Sequence, residues 1–522
     1  MAKAYLVGSG IAALSAAAFL IREAGFAGGD IHILEEQDKL GGSLDAEGSA
    51  ESGYTMRGGR MFEVQFRCTY DLLSGIPSLD DPTRSVTADI FGAHEELGWD
   101  DVSRLVDEHG KVMDAHTMGF SERDRLELVK VLATPEGSLD GKRIDDCFNP
   151  GFFTTNFWYM WCTTFAFEPW HSAIEFRRYL NRFVHLFPSF DTMTGIYRTR
   201  YNQYDSIVRP LLAWLAEQGV TIHKGRRVDD LSFAPGPGYT VREIRYTAAG
   251  QNATIDVAPD DLVFVTNGSM TANSSLGSTD AAAVLDTSRS AGAWRLWETL
   301  AAGRPDFGDP TVFAGHVTDS TWESFTVTGR DPIFLELMHQ LSDRKTGKAG
   351  LMTFPASNWL LTTVLLRQPV YRDQPDDVFV WWGYGLFPGR PGNHVGKSMY
   401  DCSGREILQE VLGHLPFAQH RERILNSSTV IPAVMPYITS QFLVRSKGDR
   451  PKVVPPGSTN LAFIGQYAEV PDDVVFTVEY SVRTAWTAVA QLLNLERKPP
   501  SVYKGQFDPR VMVRALETMH RR

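Results

Sequence analysis

The chain has 522 residues, long enough for two or more domains, one of them large. With 43% hydrophobic and 22% charged residues it has the composition of an ordinary globular protein. A formal net charge of −12 excludes a general polyanion binder, because nucleic-acid affinity rests mainly on neutralising phosphates, so no nucleic-acid partner is expected.

In chain order, Ala4 to Val7 read as a short apolar strand, entered so early that no signal peptide is expected. Gly8-Ser9-Gly10-Ile11-Ala12-Ala13 follow, then an alanine-rich helix from Leu14 to Glu23 and a second strand, Ile31 to Leu34, ending at Glu35. This is a βαβ unit with an acid about 20–25 positions after the glycines, as dinucleotide sites require. Gly8 permits the tight turn, and Gly10 lets a pyrophosphate approach the helix N-terminus. Ala13 stands at the third motif position and still permits close helix–strand packing, while Glu35 would accept hydrogen bonds from a ribose. Gly41-Gly42 come six residues after Glu35.

Residues 65–150 are mixed and polar, and Phe152 to Phe176 hold ten aromatics in 25 residues, against 11% in the whole chain. The densest apolar cluster, Phe157 to Cys162, is far short of the ~20 residues of a membrane span. A helix over 205–218 leads to a strand at Val220 to His223. The strand Asp261 to Thr266 ends in Asn267-Gly268, which reads as a return to the nucleotide sheet. Residues 285–440 form a second αβ region, and Leu461 to Ile464 are a last strand, closing at Gly465 before a helix that begins near Thr477. Cys68, Cys147, Cys162 and Cys402 form no Cys-x-x-Cys pair and no disulfide framework, which fits a reducing, cytoplasmic setting. No clustered His/Cys metal set, Walker loop or G-x-S-x-G elbow is present.

The expected fold is α/β, a Rossmann-like FAD-binding domain of the glutathione-reductase type with insertions. Its discontinuous pieces are 1–66, 200–285 and 455–495. Between them lie a largely helical lid (67–199), an α+β substrate domain (286–454) and a helical C-terminal tail (496–522). One N-terminal fingerprint, with no second for a nicotinamide, favours FAD over NAD.

Several long segments are similar to one family: GSGIAALSAAAFLIR (Gly8 to Arg22), RGGR (Arg57 to Arg60), FAFEPWHSAIEFRRY (Phe165 to Tyr179), RYNQYDS (Arg200 to Ser206), WGYGLFPGRPGN (Trp382 to Asn393) and EVPDDVVFTVEYSVR (Glu469 to Arg483). They resemble the fatty-acid hydratases, the oleate hydratase or myosin-cross-reactive antigen family. The resemblance implies an FAD enzyme that adds water across a cis double bond of an unsaturated free fatty acid, giving products of the 10-hydroxystearate type without net redox change. The flavin would be most effective reduced, as FADH2. The cofactor set carried over is Gly8, Gly10, Ala12, Ala13, Glu35, Gly42, Ser43, Arg57, Gly58, Gly59, Arg60, Gly465 and Val475. Rivals are a flavin redox enzyme on a lipid, of the desaturase or oxidase type, and a non-catalytic lipid-binding flavoprotein.

The family assigns catalysis to a glutamate directly after RGGR and to the tyrosine that ends R-R-Y, here Tyr179. A neighbouring cation, Arg177 or Arg178, would strengthen Tyr179 as a proton donor. The glutamate position holds Met61, which accepts no proton. Either water is positioned by backbone, flavin or another polar group, or Glu63, on the same side of an extended segment, serves as the base. Gln203 is a pocket residue by resemblance. Where the family often shows T-x-N before RQP and a histidine after it, residues associated with the fatty-acid carboxylate, this chain has Val364, Leu366 and Val370. Acyl burial, about 0.8 kcal/mol per methylene, should dominate affinity without that clamp. The tail YKGQFDPRVMVRALETMHRR (Tyr503 to Arg522) reads either as a basic amphipathic helix that touches anionic lipid or as a solvated C-terminal helix. The oligomeric state is open.

Overall fold

A computed structural model describes residues 2–98, 101–342 and 350–521. Positions 99–100, 343–349 and 522 of the expected lid, substrate domain and tail therefore lie outside the described residues. The fold is built on a five-stranded parallel sheet with strands β1 (Ala4–Val7), β2 (Ile31–Leu34), β3 (Thr221–His223), β4 (Leu262–Thr266) and β5 (Leu461–Ile464), in the order β5-β4-β1-β2-β3. β1 lies between β2 and β4, in register with both, so the chain leaves it first to one side and later to the other. A crevice forms at such a switch point, outside the carboxyl ends of the strands, where open α/β sheets bind ligands. Short runs such as AYLV and LAFI suit these positions because parallel strands are covered on both faces.

Helix α1 (Ile11–Ala24) starts three residues earlier than the alanine run indicated, with Gly10 as its N-cap. Gly8 takes φ +92°, so the turn needs glycine for its backbone, although a Cβ there would make only ordinary contact with Thr266, 3.4 Å from its Oγ1. The helix expected over 205–218 is a π-turn, Tyr204–Val208, running into Arg209–Glu217.

The second sheet has seven strands, in the order Ser275–Leu276, Ser428–Met435, Trp322–Gly329, Phe379–Gly385, Leu361–Leu365, Gly350–Thr353 and Ser103–Leu105. The last of these comes from the segment read as a lid and pairs parallel with Gly350–Thr353. A three-residue strand carries too little pattern to stand out in a polar stretch. Helices Asn156–Phe165 and α2 (Ala173–Phe183) wall the space between the two sheets, and α3 (Val478–Leu492) closes the nucleotide sheet against α1. The tail forms helix Pro509–Met519, packed on the 3₁₀ segment Val184–Ser189. Among the described residues no helix is long and apolar enough to cross a membrane.

Candidate active site

The crevice at the ends of β1, β4 and β5 is lined by Gly8, Gly10, Ala12, Glu35, Gly42, Ser43, Arg57 and Gly465 from the expected cofactor set. Gly10 makes no side-chain cap and the first turn of α1 has no acid, so its N–H groups and the helix dipole are left for an anion. Gly42 takes φ +57°, and a Cβ on it would stand 3.0 Å from Gly10 Cα, so the two backbones meet too closely for a side chain. Glu35 is fixed by the backbone N–H groups of Ser9 (2.8 Å) and Gln37 (2.7 Å), each of its oxygens keeping acceptor capacity for a ribose. Ser9 Oγ, Thr266 Oγ1 and both polar atoms of Asn267 are buried in the same wall without partners. Buried polar atoms are normally satisfied, so these fit a polar ligand such as a dinucleotide.

Ala13, Gly58, Gly59, Arg60 and Val475 do not line this cleft. Arg57 does, and pairs with Asp45 at 3.3 Å. A Cβ at Gly58 would meet Arg60 Nη1 at 2.8 Å, so that glycine makes room for the folded-back guanidinium. Residues missed by sequence reasoning include Gln466, whose side chain bonds Thr477 O (3.0 Å) and Ser481 Oγ (2.8 Å) and holds the N-terminus of α3 in place. Its one signal is that it directly follows Gly465.

Beyond the RGGR turn lies a second, largely apolar cavity walled by Gly59, Arg60, Met61, Glu63, Phe165, Tyr179, Phe183, Phe190 and Phe476. Tyr179 and the Arg60–Met61 step, 118 residues apart in sequence, thus face one space, with the cofactor cleft on the other side of the turn. Tyr179 is buried, and its hydroxyl donates to Val475 O at 2.5 Å. Val475 therefore serves the tyrosine through its carbonyl. Burial, then Glu175 and Asp473, push the phenol well above its ordinary range; Arg60 and Arg450 oppose them.

The expected activating cations need correction. Arg178 is turned to Glu136 and Glu469, each at 2.7 Å, and the guanidinium charges that act most on the phenol are those of Arg60 and Arg450. Adjacent helix residues point about 100° apart, so R-R-Y spacing by itself sets no contact. Arg60 is buried with its guanidinium 5.0 Å over Phe476, near Ser43 O and Met270 Sδ, and burial lowers its pKa to about 10. It stays charged at neutral pH.

Gln203 clasps the turn from beneath. Its Oε1 accepts from Arg60 N at 3.1 Å and its Nε2 lies 3.5 Å from Arg60 O. Met61 and Glu63 both line the apolar cavity, yet the Glu63 carboxylate is engaged with Arg182 (2.8 Å), His185 (3.5 Å) and the N–H of Gln65 (2.7 Å). Burial alone would raise it, but His185, Arg182 and that N–H outweigh burial and lower it. An ion-paired carboxylate of lowered pKa is a weak base. Val364 lines a further cavity past Met61, and Leu366 and Val370 line the next one along.

Comparison with known proteins fits this geometry. A family model described as the MCRA family matches residues 1–490. The chain belongs to the MCRA family. It is 40% identical over 524 residues to an oleate hydratase of Streptococcus pyogenes serotype M49 (strain NZ131), a match covering 98% of this chain and 89% of that one. It is 31% identical over 568 residues to a linoleate hydratase of Lactiplantibacillus plantarum, covering 99% and 98% of the two chains. Solved structures similar in fold are an oxidoreductase from Methanosarcina mazei (TM-score 0.52, 12% identity, 94% of this chain and 100% of that one) and cyclohexylamine oxidase from Brevibacterium oxydans IH-35A (TM-score 0.54, 12% identity, 94% and 99%). At that identity they bear on the Rossmann-like fold alone. The MCRA membership covers both the nucleotide crevice and the tyrosine cavity.

Proposed function

We propose that this MCRA protein is a flavin-dependent fatty-acid hydratase, adding water across a cis double bond of an unsaturated free fatty acid such as oleate. One observation supports the reading beyond the relatives' names: a buried tyrosine and a buried arginine, the latter without an ion pair among the described residues, line one apolar cavity, while Arg57 of the same turn lines a dinucleotide cleft. FAD fits the cleft, held by the Gly8–Gly10 turn and α1 at its pyrophosphate, by Glu35 at its ribose, and by Ser43, Arg57 and Gln466 further along. When bound, and above all when reduced, the flavin supplies an electron-rich surface that favours positive charge developing nearby.

The protein's own part is acid chemistry in a largely apolar pocket. The raised phenol keeps Tyr179 protonated across the physiological range, so it is always armed as a donor. Turning about its C–O bond from Val475 O to the alkene, it gives its proton to one carbon, and the other becomes cation-like. Arg60 and Arg450 stabilise the phenolate that remains. Water adding to a carbocation becomes an oxonium, a strong acid whose proton passes back, directly or through solvent, to the Tyr179 phenolate, so the net change is addition of one water. Met61 is compatible with this order of events, because a base helps little once the cation exists. Positioning, with backbone and fixed dipoles along Gly59 to Met61, takes the place of the carboxylate. Glu63 then serves as the charge partner of Arg182, not as the base.

Reduced, FAD-loaded enzyme incubated with oleate in ¹⁸O water tests the reading by mass spectrometry. The expected product is a hydroxy fatty acid with one ¹⁸O and no electron acceptor consumed. An unlabelled product, or bleaching of an oxidised flavin by substrate, would assign redox chemistry instead. We further propose a cytoplasmic location, with peripheral lipid contact through 500–522, where Phe507, Val513 and Leu516 are exposed beside Lys504, Arg510 and Arg514.

A further inference from the structure

The tyrosine cavity is the first of three that share walls. Gly59, Arg60, Met61 and Phe476 separate it from a second cavity lined also by Thr163, Trp322, Trp382 and Val364. Arg198 is a wall of that second cavity and of a third, which includes Asp101, Asn202, Gln203 and Leu366. An amphiphile threaded along this path has its apolar walls at the Tyr179 end and its cationic walls at the other.

Three arginines line the third cavity: Arg198, Arg200 and Arg367. Arg200 is held outward by Asp89 (3.2 Å) and Glu96 (2.9 Å). Of the three, Arg198 is the one shared with the second cavity. It is about nine-tenths buried, and Asp101 engages it through Nε; among the described residues no carboxylate bonds the two terminal nitrogens of the fork. One of them, Nη1, lies 3.6 Å from where a Cβ of Gly59 would be, so the guanidinium abuts the backbone just before Met61. Arg60 is no rival, because its head is turned to Ser43 O and Met270. The walls of the second cavity hold donors in excess. The indole N–H groups of Trp322 and Trp382 are both buried without an acceptor. A pocket with a guanidinium and spare N–H donors suits a carboxylate, which offers about four lone-pair sites and no proton.

We infer that Arg198, oriented by Asp101, binds the carboxylate of the fatty substrate between the second and third cavities, with the acyl chain running back past Met61 to Tyr179. This rests on the reading of the site as one for a fatty acid. Asp101 sets the plane of the fork, and the terminal nitrogens take the anion.

Binding of palmitate and of hexadecanol to FAD-loaded wild type, Arg198→Gln and Arg198→Lys, followed by tryptophan fluorescence, tests the inference. Arg198→Gln should raise the palmitate Kd about 10- to 100-fold, the range for losing a charge-assisted hydrogen bond, and change the hexadecanol Kd less than about twofold. Arg198→Lys keeps the charge without the fork and should weaken palmitate only a few fold; it carries the test if the glutamine variant fails to fold. Flavin absorbance and thermal melting report folding. Equal weakening of both ligands, or unchanged palmitate binding, would overturn the assignment. If wild type binds neither ligand, the fatty-substrate reading falls with it. Selective palmitate loss in an enzyme that does not hydrate oleate would overturn the chemistry alone and leave this site standing.

Discussion

In the chemistry proposed above Tyr179 and Arg60 form the central pair, and each is informative because of its surroundings. Among the described residues the one hydrogen-bond partner of the Tyr179 hydroxyl is the carbonyl of Val475, and in that chemistry its proton waits there for substrate. Tyr179→Phe should lower kcat by at least ~100-fold, in the range ascribed to a general acid, with the flavin spectrum unchanged. Met61→Glu restores the family carboxylate and should raise kcat by less than about tenfold if proton transfer to the alkene limits the rate; a larger gain would show that water activation limits instead. Glu63→Gln should cost about 3–5 kcal/mol of stability, because Arg182 would be left buried with Asp473 at 3.7 Å as its remaining charge partner. Its turnover should stay within about fivefold of wild type, and a hundredfold loss would make Glu63 the base after all.

At the scale of elements, the Gly41–Gly42 turn, the RGGR turn and α2 must be brought to fixed distances from α1. Gly42→Ala places a Cβ 3.0 Å from the backbone of Gly10 at a positive φ, so either the turn or α1 shifts. Flavin occupancy after purification should fall severalfold, read by absorbance, while the far-UV circular dichroism stays near wild type. The position of α2 is set by charge. Glu175 sits at its first turn, fully buried between Arg445 (2.6 Å) and Arg450 (2.8 Å), four residues before Tyr179. Gln203 does the same for the RGGR turn, and its place beside a π-turn is one where helix irregularities tend to serve function. These elements were legible as motifs, because glycine spacing and polar segments are local features. Their partners were not, since Glu175 and Arg450 are 275 residues apart and nothing in either neighbourhood specifies the other.

At the scale of the molecule, a network of buried ion pairs ties α2 to the segment before α3, and this makes stability depend on acid. Burial would raise the Glu175 carboxyl, but Arg450, Arg445 and Arg178 outweigh it and hold it at about 2. A depressed carboxylate stabilises the fold fully above its unfolded pKa, near ~4.3, and that contribution fades as the pH falls toward about 2. Thermal melting of wild type should therefore fall steeply between those limits, and Glu175→Gln should melt lower at neutral pH with a flatter acid limb. If the two acid limbs are parallel, the network is not the source of the acid sensitivity. The tail belongs to this scale too. Helix Pro509–Met519 packs on the segment that borders the tyrosine cavity, and Tyr503 lies 5.0 Å from His185 beside the Glu63–Arg182 pair. Deleting 500–522 should weaken binding to anionic liposomes, and unchanged binding would leave the tail a packing element.

The sequence by itself determined the parallel sheet, the order of its strands along the chain, the glycine turn after β1 and the family, because each is written in short-range spacing: glycines two apart, an acid after the second strand, and long idiosyncratic segments. Its account of Tyr179 failed at the step from sequence neighbour to spatial neighbour, where Arg178 turned to Glu136 and Glu469 and Arg60 and Arg450 came in. Only the tertiary structure decided which charges face the phenol, that Glu63 is occupied by Arg182 and His185, and that Arg198 lines both the second and the third cavity. Those contacts join residues tens to hundreds of positions apart. They are set by how two sheets and the helices between them close on one another, and a linear pattern does not encode that closure residue by residue.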